Sequence, residues 1–272
     1  MGANCCAEEA MSGGMSAPPK AELKDLAPVN FESIKNPYER FEASLPFNRI
    51  ALIDMMARIE KAVDTETKKA NPTPAEGEEP EQVAYVTLKS LRQHLPTPAW
   101  EGLDDEQSKI GKVLMSPAFK SEGTEAGQIH ADFLKAFALL HCGGKPKDKS
   151  VALYEILQEG GLTAHTQISA GDKDLIPIFQ KICEFVTKDI FELTVAIDGG
   201  VDAPYPAQDV SKVLDKENIE IVREEQWLEE VYGAQSRLDN EIWLEKVTKS
   251  AKWIYIAKDM RKKLFETANV KM

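Results

Sequence analysis

The first six residues carry a pattern that could support covalent lipid attachment. Gly2 stands where N-myristoylation requires a glycine after removal of Met1, and Cys5 and Cys6 lie where palmitoyl groups are often added. A single myristoyl chain holds a protein to a membrane only marginally, whereas a second acyl chain makes attachment stable. Cys6 departs from the motif, which has Ser or Thr at that position. The alternative is an unmodified tail in which Gly2 occurs by chance.

The other candidates for chemistry are histidines and cysteines. His141 and Cys142 are adjacent, whereas a catalytic nucleophile and its base usually come from separate elements, so we interpret both as core or helix-end residues. His94, His130 and His165 lack the spacing of zinc ligands. Neither a phosphate-binding glycine loop nor a hydrolase nucleophile elbow occurs. The sequence therefore predicts no enzyme, no metal site and no cofactor.

Composition narrows the class of protein further. The chain has 272 residues, of which 43% are hydrophobic, and a formal net charge of −12, which is ordinary for a soluble globular protein but argues against a nucleic-acid partner. Four cysteines are too few and too scattered for a disulfide framework, which favours a reducing compartment. We expect a cytoplasmic protein, either peripheral on the cytosolic face of a membrane or part of a cytoskeletal or ciliary structure.

The elements that must position these residues form a repeat. A helix, a polar loop, one β-like residue and a second helix occur four times, and the β-like residues are Val86, Ile129, Ile168 and Leu238. Apolar residues recur at helical offsets on the flanking segments. This pattern predicts an all-α fold of two pairs of helix-loop-helix units, with short β-like pairings between loops and an extra C-terminal helix.

The chain divides into three parts on this interpretation. Residues 1–30 form a flexible tail, because the stretch from Ala7 to Ala27 is rich in Gly, Ser, Pro and Ala. Residues 31–142 hold the first pair, whose first helix ends near Asp64 before an exposed insertion at 65–82. Residues 143–272 hold the second pair, with an insertion at 188–216 that carries a short helix near Phe191 and then a loop.

Four local phrases support a family resemblance: Tyr85–Leu91, Ile129–Phe137, Gln167–Asp172 and Glu241–Val247. In order and spacing they resemble the EF-hand superfamily, in particular four-unit members of the calcineurin B-like and neuronal calcium sensor kind, which are often N-terminally acylated. The resemblance covers roughly residues 47–265. It implies paired helical units that form a hydrophobic groove for an amphipathic helix of a partner protein.

The calcium chemistry of that family is missing from the fourth loop. A working loop has oxygen ligands at positions 1, 3 and 5 and a bidentate Glu at position 12. With Leu238 at position 8, those positions hold Val231, Gly233, Gln235 and Ile242. Of these side chains only Gln235 has an oxygen atom, so the set cannot hold a hard divalent cation.

The other loops are also poor in ligands. The third has Gly161, Thr163, His165 and, as its one carboxylate at a ligand position, Asp172. The corresponding residues of the second loop are Glu122, Thr124, Ala126 and Phe133. The first begins with Asp64 and Glu66, but the insertion places Val86 too far along the chain. We therefore expect no tight calcium binding in the standard mode.

Large apolar residues on the predicted helices would line either the core or a partner groove: Phe133, Phe137, Leu175, Phe179 and Trp243. The function expected from them is that of a calcium-independent adaptor or scaffold, which binds an amphipathic helix or a larger assembly. One alternative is a structural subunit of a cytoskeletal or ciliary assembly. Another is a calcium sensor that uses irregular loops.

Basic residues accumulate near the C-terminus of this acidic chain: Lys246, Lys249, Lys252, Lys258, Arg261, Lys262 and Lys263. They alternate with apolar residues along what the pattern predicts to be one long final helix. Such a helix could lie on anionic lipid, dock on an acidic protein surface, or pack its apolar stripe against its own fourth unit with the basic side chains in water.

Overall fold

The computed structural model describes residues 24–71, 83–157, 167–170, 175–199 and 205–272, and most of these residues are helical, as the all-α prediction requires. The first helices are α1 (Pro37–Ser44), α2 (Leu52–Ala70), α3 (Leu88–His94), α4 (Lys109–Leu114), α5 (Ala131–His141) and α6 (Pro146–Leu157). They are followed by α7 (Leu175–Glu184), α8 (Ile190–Asp198), α9 (Ala207–Val213), α10 (Lys216–Glu220), α11 (Glu229–Tyr232), α12 (Asn240–Lys249) and α13 (Ala257–Thr267).

Irregular helical segments connect several of these elements. Two π-helices, here called π1 (Phe185–Asp189) and π2 (Ile221–Leu228), join α7 to α8 and α10 to α11 as continuous rods. Short 3₁₀ turns lie at Pro46–Arg49, Pro98–Trp100, Pro117–Phe119 and Lys252–Tyr255. Three of these turns begin with proline, whose fixed φ suits the first turn of a helix.

Two antiparallel strand pairs lie between the helices. Strand β1 (Tyr85–Thr87) pairs with β2 (Gln128–His130), and β3 (Gln167–Ser169) pairs with β4 (Arg237–Asp239). The β-like residues of the repeat stand at the middle of each strand, because Val86 lies opposite Ile129 and Ile168 lies opposite Leu238. Each pairing therefore joins one loop of the predicted repeat to the next.

Helix α2 is longer than the sequence predicted. It continues past Asp64 to Ala70, so residues 65–70 of the predicted insertion are helical; residues 72–82 lie outside the described residues. Glu66 and Thr67 on this last part are buried, and Glu66 accepts a hydrogen bond from the Thr87 hydroxyl at 2.7 Å. The Thr67 hydroxyl accepts another from the Val83 amide at 3.1 Å. These tertiary bonds extend the helix where composition alone indicated an exposed loop.

The second insertion is also more helical than predicted. Helix α8 covers the expected helix near Phe191, but α9 follows at Ala207–Val213 where a loop was expected. Phe191 packs edge-on against Tyr38 of α1, with ring centroids 4.6 Å apart, and Val213 is fully buried. The described residues of the insertion, 188–199 and 205–216, therefore contribute to the core.

A single apolar core joins the two predicted halves. The ring of Phe137 on α5 lies 5.0 Å from Phe47, 5.1 Å from Phe119 and 5.1 Å from Phe185 of π1. Phe47 also packs against Trp100 at 5.1 Å. Because Phe185 belongs to the second half and the others to the first, the halves share this aromatic cluster.

The end of the predicted tail is attached to the body. The Asp25 carboxylate accepts hydrogen bonds from the Thr97 hydroxyl at 2.6 Å and from the Ala99 amide at 3.1 Å. The Leu26 amide donates to the Arg49 carbonyl at 2.7 Å. Asp25 and Leu26, within the predicted tail, therefore contact the body of the protein, and residues 1–23 lie outside the described residues.

The aromatic cluster should dominate the stability of the fold. We expect Phe137→Ala to lower the free energy of unfolding by about 3–5 kcal/mol, because it removes a fully buried ring and leaves a cavity among the neighbouring rings. Urea denaturation followed by circular dichroism measures this. The control Phe31→Ala, at a residue that is 37% exposed, should change stability by about 0.5 kcal/mol or less. Equal effects of the two variants would contradict the shared core.

Candidate partner-binding surface

The residues predicted to line a groove or the core lie mostly in the core. Phe137, Phe179 and Trp243 are fully buried, and Leu175 is nearly so. Phe133 is half-buried, and the Lys181 ammonium lies 5.2 Å from the centre of its ring. Of this set, only Phe133 therefore retains substantial access to a partner in this conformation.

Helix α13 packs its apolar side against the second half of the chain. It packs against α7, π1 and the rod that α10 and π2 form. Met260, Leu264 and Phe265 make its buried stripe, and the Phe265 ring lies 4.5 Å from the ring of Tyr205. The C-terminal helix is therefore part of the apolar core of the second half.

A buried arginine fastens α13 to two distant parts of the chain. Arg261 is 3% exposed, pairs with the Glu42 carboxylate of α1, and donates from Nε to the Val186 carbonyl of π1 at 2.5 Å. Burial raises the pKa of Glu42, and the charge of Arg261 and its hydrogen bond oppose that rise only in part. Arg261, one of the seven basic residues named from the sequence, is therefore buried in an ion pair and does not lie on the surface.

The remaining C-terminal basic residues do not form one helix either. Their segment is divided into α12, the 3₁₀ turn and α13, because Ala251, Trp253, Ile254 and Tyr255 turn the chain into the core. Most of these residues pair with carboxylates: Lys249 with Glu245 at 2.5 Å, Lys258 with Glu39 at 3.4 Å, Lys262 with Glu266 at 3.7 Å and Lys263 with Glu230 at 3.6 Å. Lys246 lies on α12 and Lys252 on the 3₁₀ turn.

Oxygen ligands do not converge in the described parts of the loops. Asp64 and Glu66 lie within α2, and Val231 lies within α11. Within the ranges that the structure describes, no group of three or more His, Cys, Asp or Glu residues is placed to hold a metal ion. The third-loop positions Gly161, Thr163, His165 and Asp172 fall outside those ranges.

His141 and Cys142 occupy the end of α5, as expected of core or helix-end residues. Burial lowers the pKa of His141 to about 3 and raises the pKa of the Cys142 thiol. The His141 ring lies 4.3 Å from the Phe137 ring. A neutral imidazole and a protonated thiol in this environment are poor candidates for a base and a nucleophile.

Sequence reasoning missed a surface cavity of about 420 Å³ beside π1. Its wall includes Lys181, whose ammonium lies 3.0 Å from both Glu184 and Asp189, and Lys181 and Asp189 are buried. The charges along its wall are mixed: Lys120, Lys181, Lys188, Glu184, Asp189 and Glu192. A spacing of eight residues between Lys181 and Asp189 is not a recognised pairing signal, so the sequence offered no means to find it.

The candidate lipidation residues Gly2, Cys5 and Cys6 lie outside the described residues. None of the helices in the described ranges combines the length and apolar character that a membrane crossing requires. Comparison with known proteins adds no assignment, since no family model, no curated protein and no solved structure matches this chain.

The Arg261–Glu42 pair can be tested with a double-mutant cycle. We expect Arg261→Met alone to lower the free energy of unfolding by about 3–5 kcal/mol, because it leaves a buried carboxylate without its partner. Adding Glu42→Leu should restore most of that loss, since two apolar side chains can replace a buried ion pair. Urea denaturation of both variants measures the recovery.

The matched control is Lys262→Met, which removes an exposed charge from the same helix. It should change stability by about 0.5 kcal/mol or less. Failure of Glu42→Leu to recover any of the loss would contradict the pairing described above.

Proposed function

We propose that this protein is a non-catalytic, calcium-independent adaptor or scaffold of the EF-hand-like type, which binds a protein partner. The observation that carries the proposal is the pairing of successive loops through Val86 with Ile129 and Ile168 with Leu238, between helices. The resemblance of the local phrases to EF-hand proteins led us to expect this arrangement. The fourth-loop sequence supports calcium independence, because its ligand positions hold Val231, Gly233, Gln235 and Ile242.

A helix that binds in a groove is the proposed mode of partner recognition. An amphipathic helix places residues at i and i+4 into an apolar groove, and Met260 and Leu264 of α13 do this within the chain itself. A partner helix would carry apolar residues at the same spacing and would compete with α13. Helix α13 therefore has the same pattern of apolar residues as the helix that the protein is proposed to bind.

The proposed adaptor has one resting conformation. In a calcium sensor the ion changes the angle between helices and exposes a groove. Here the strand centres Val86, Ile129 and Leu238 are buried, and Arg261 holds α13 in place through protein contacts alone. Occupation of the groove would therefore be set by competition with the partner and not by an ion.

Attachment to a membrane through Gly2, Cys5 and Cys6 is part of the same proposal. It is supported by the order of these residues in the sequence and by the mechanism in which two acyl chains give stable anchoring. Cys142 and Cys183 are buried free thiols, in keeping with the reducing compartment proposed for the protein.

Calcium independence predicts the result of a direct titration. Calorimetric titration of the full chain with calcium should give no saturable heat in the micromolar range, because the loops lack the six to eight oxygens that the ion requires. Magnesium serves as the control for nonspecific binding to an acidic protein. Saturable heat with calcium but not with magnesium would restore the sensor alternative.

Groove binding predicts that α13 can be replaced in trans. We expect a labelled peptide of residues 257–272 to bind a full-chain variant with Met260→Glu and Leu264→Glu, whose own α13 is displaced, more tightly than it binds the unaltered chain. Fluorescence anisotropy with calcium and with a chelator should give the same affinity.

The control peptide carries the same two Glu substitutions and should not bind. Circular dichroism shows whether the variant chain keeps its remaining helices. Absence of binding to a variant that remains folded would count against the groove as the partner site.

A further inference from the structure

Three separate segments meet where the described chain begins. The Leu26 amide donates to the Arg49 carbonyl at 2.7 Å, which places the N-terminal segment beside the start of α2. The connection between α5 and α6 lies there too, because the Gly143 amide donates to Ile50 at 3.1 Å and the Leu52 amide donates to Gly143 at 2.7 Å. A side-chain carbon placed on Gly143 would lie 2.9 Å from Leu26 Cδ1, so these segments touch.

The direction of the chain brings exposed apolar and basic residues together at this point. The bridge between Ala51 and Gly143 is parallel, so the residues after Gly143 run alongside the first turn of α2. A side-chain carbon on Gly144 would lie 3.5 Å from Leu52 Cβ, so Lys145 and Ile53 are each one residue along the chain from this contact. Ile53 is 62% exposed and Leu26 is 41% exposed.

Three lysines are close in sequence to these contacts, since Lys24 precedes Leu26 by two residues and Lys145 and Lys147 follow Gly144. Lys24, Lys145 and Lys147 are exposed, and none forms an ion pair with a carboxylate within the part of the chain that the structure describes. Together with Leu26 and Ile53 they form what we call the entry face. Their free charge contrasts with the C-terminal lysines, most of which pair with carboxylates.

Three acidic residues adjoin the residues of the entry face in the sequence: Asp25, Asp54 and Asp148. Asp25 is engaged by Thr97, Ala99 and Arg49. Asp148 accepts a hydrogen bond from the Lys145 amide at 3.2 Å. Asp54 is exposed beside Ile53 and is the one carboxylate of these three without such a bond to the described residues. Because Asp25 is paired with Arg49, the three lysines exceed the two remaining carboxylates, Asp54 and Asp148, by one positive charge, in a chain whose net charge is −12.

We infer that the entry face is the surface by which this protein lies on an anionic lipid bilayer. Residues 1–23 join the body at Lys24, so any lipid attached to Gly2, Cys5 or Cys6 would hold this side of the molecule toward the membrane. Free lysines are attracted to anionic headgroups, and exposed Leu and Ile side chains can enter the boundary between headgroups and acyl chains.

This inference deepens the proposed membrane attachment but does not require acylation. It also replaces the C-terminal segment as the lipid-binding candidate, because Arg261 is buried there and Lys249, Lys258, Lys262 and Lys263 are paired. The experiment uses the unmodified full chain, so failure of acylation and failure of the entry face are distinguishable. Mass spectrometry of the chain made with an N-myristoyltransferase tests acylation separately.

The test is sedimentation of the full chain with vesicles at low ionic strength. Vesicles of phosphatidylcholine alone are compared with vesicles that also contain phosphatidylserine, and we expect binding to the second kind only. Lys145→Ala with Lys147→Ala should weaken that binding about tenfold or more, because each lysine near an anionic surface contributes about fivefold in affinity. Lys262→Ala with Lys263→Ala, which removes the same charge elsewhere, should leave binding within about twofold.

A second pair of variants tests the apolar contribution. Ile53→Ser should weaken binding several-fold, whereas Ile176→Ser, at a residue of α7 that is 49% exposed, should not. Both positions are exposed, so neither change should unfold the chain, and circular dichroism verifies this.

Three results would overturn the inference. They are no detectable binding of the unmodified chain at the highest lipid concentration, equal binding to neutral and anionic vesicles, and equal losses from the entry-face variants and their controls. Binding to a soluble acidic protein without binding to vesicles would assign the face to a protein partner instead.

Discussion

The pairing of short strands between successive loops is the constraint on which the rest of the structure depends. Each strand has only three residues, and an isolated pair of this size is not stable in water. In loops that bind calcium, the ion adds coordination bonds beside the strands. Here the strand centres Val86, Ile129 and Leu238 are buried in the same core that holds the aromatic cluster around Phe137, so packing in that core stabilises the strand pairs.

The same dependence on packing accounts for the closed arrangement of the second half. An apolar groove without a ligand would expose its lining to water, and α13 removes that exposure by occupying it. Arg261 fixes the orientation of α13 in this contact, because its guanidinium pairs with the Glu42 carboxylate and donates a hydrogen bond to the Val186 carbonyl. In the proposed function a partner must therefore compete with a tethered helix, which favours partners that bring more than one contact.

Local pattern predicted the parts of the fold that depend on nearby residues. Val86 and Ile129 stand out as apolar positions between polar loops, and their strands occur where expected. The predicted end of α2 near Asp64 was wrong because Thr87 stabilises Glu66 through a hydrogen bond. Composition near residue 66 carries no information about that partner. The burial of Arg261 could not be predicted for the same reason, since its partner Glu42 lies 219 residues earlier in the chain. The pattern left Phe137, Phe179 and Trp243 open between core and groove, and the structure shows that they are fully buried.

The most direct test of the central claim, that packing and not an ion holds the paired loops, is amide hydrogen exchange of the metal-free chain. The Ala131 amide donates to the Ala84 carbonyl at 2.9 Å, and the Ala170 amide donates to the Ser236 carbonyl at 3.1 Å. With a chelator present, both amides should exchange slowly, and added calcium should not change their rates. Fast exchange of these amides that becomes slow only after calcium is added would contradict the account.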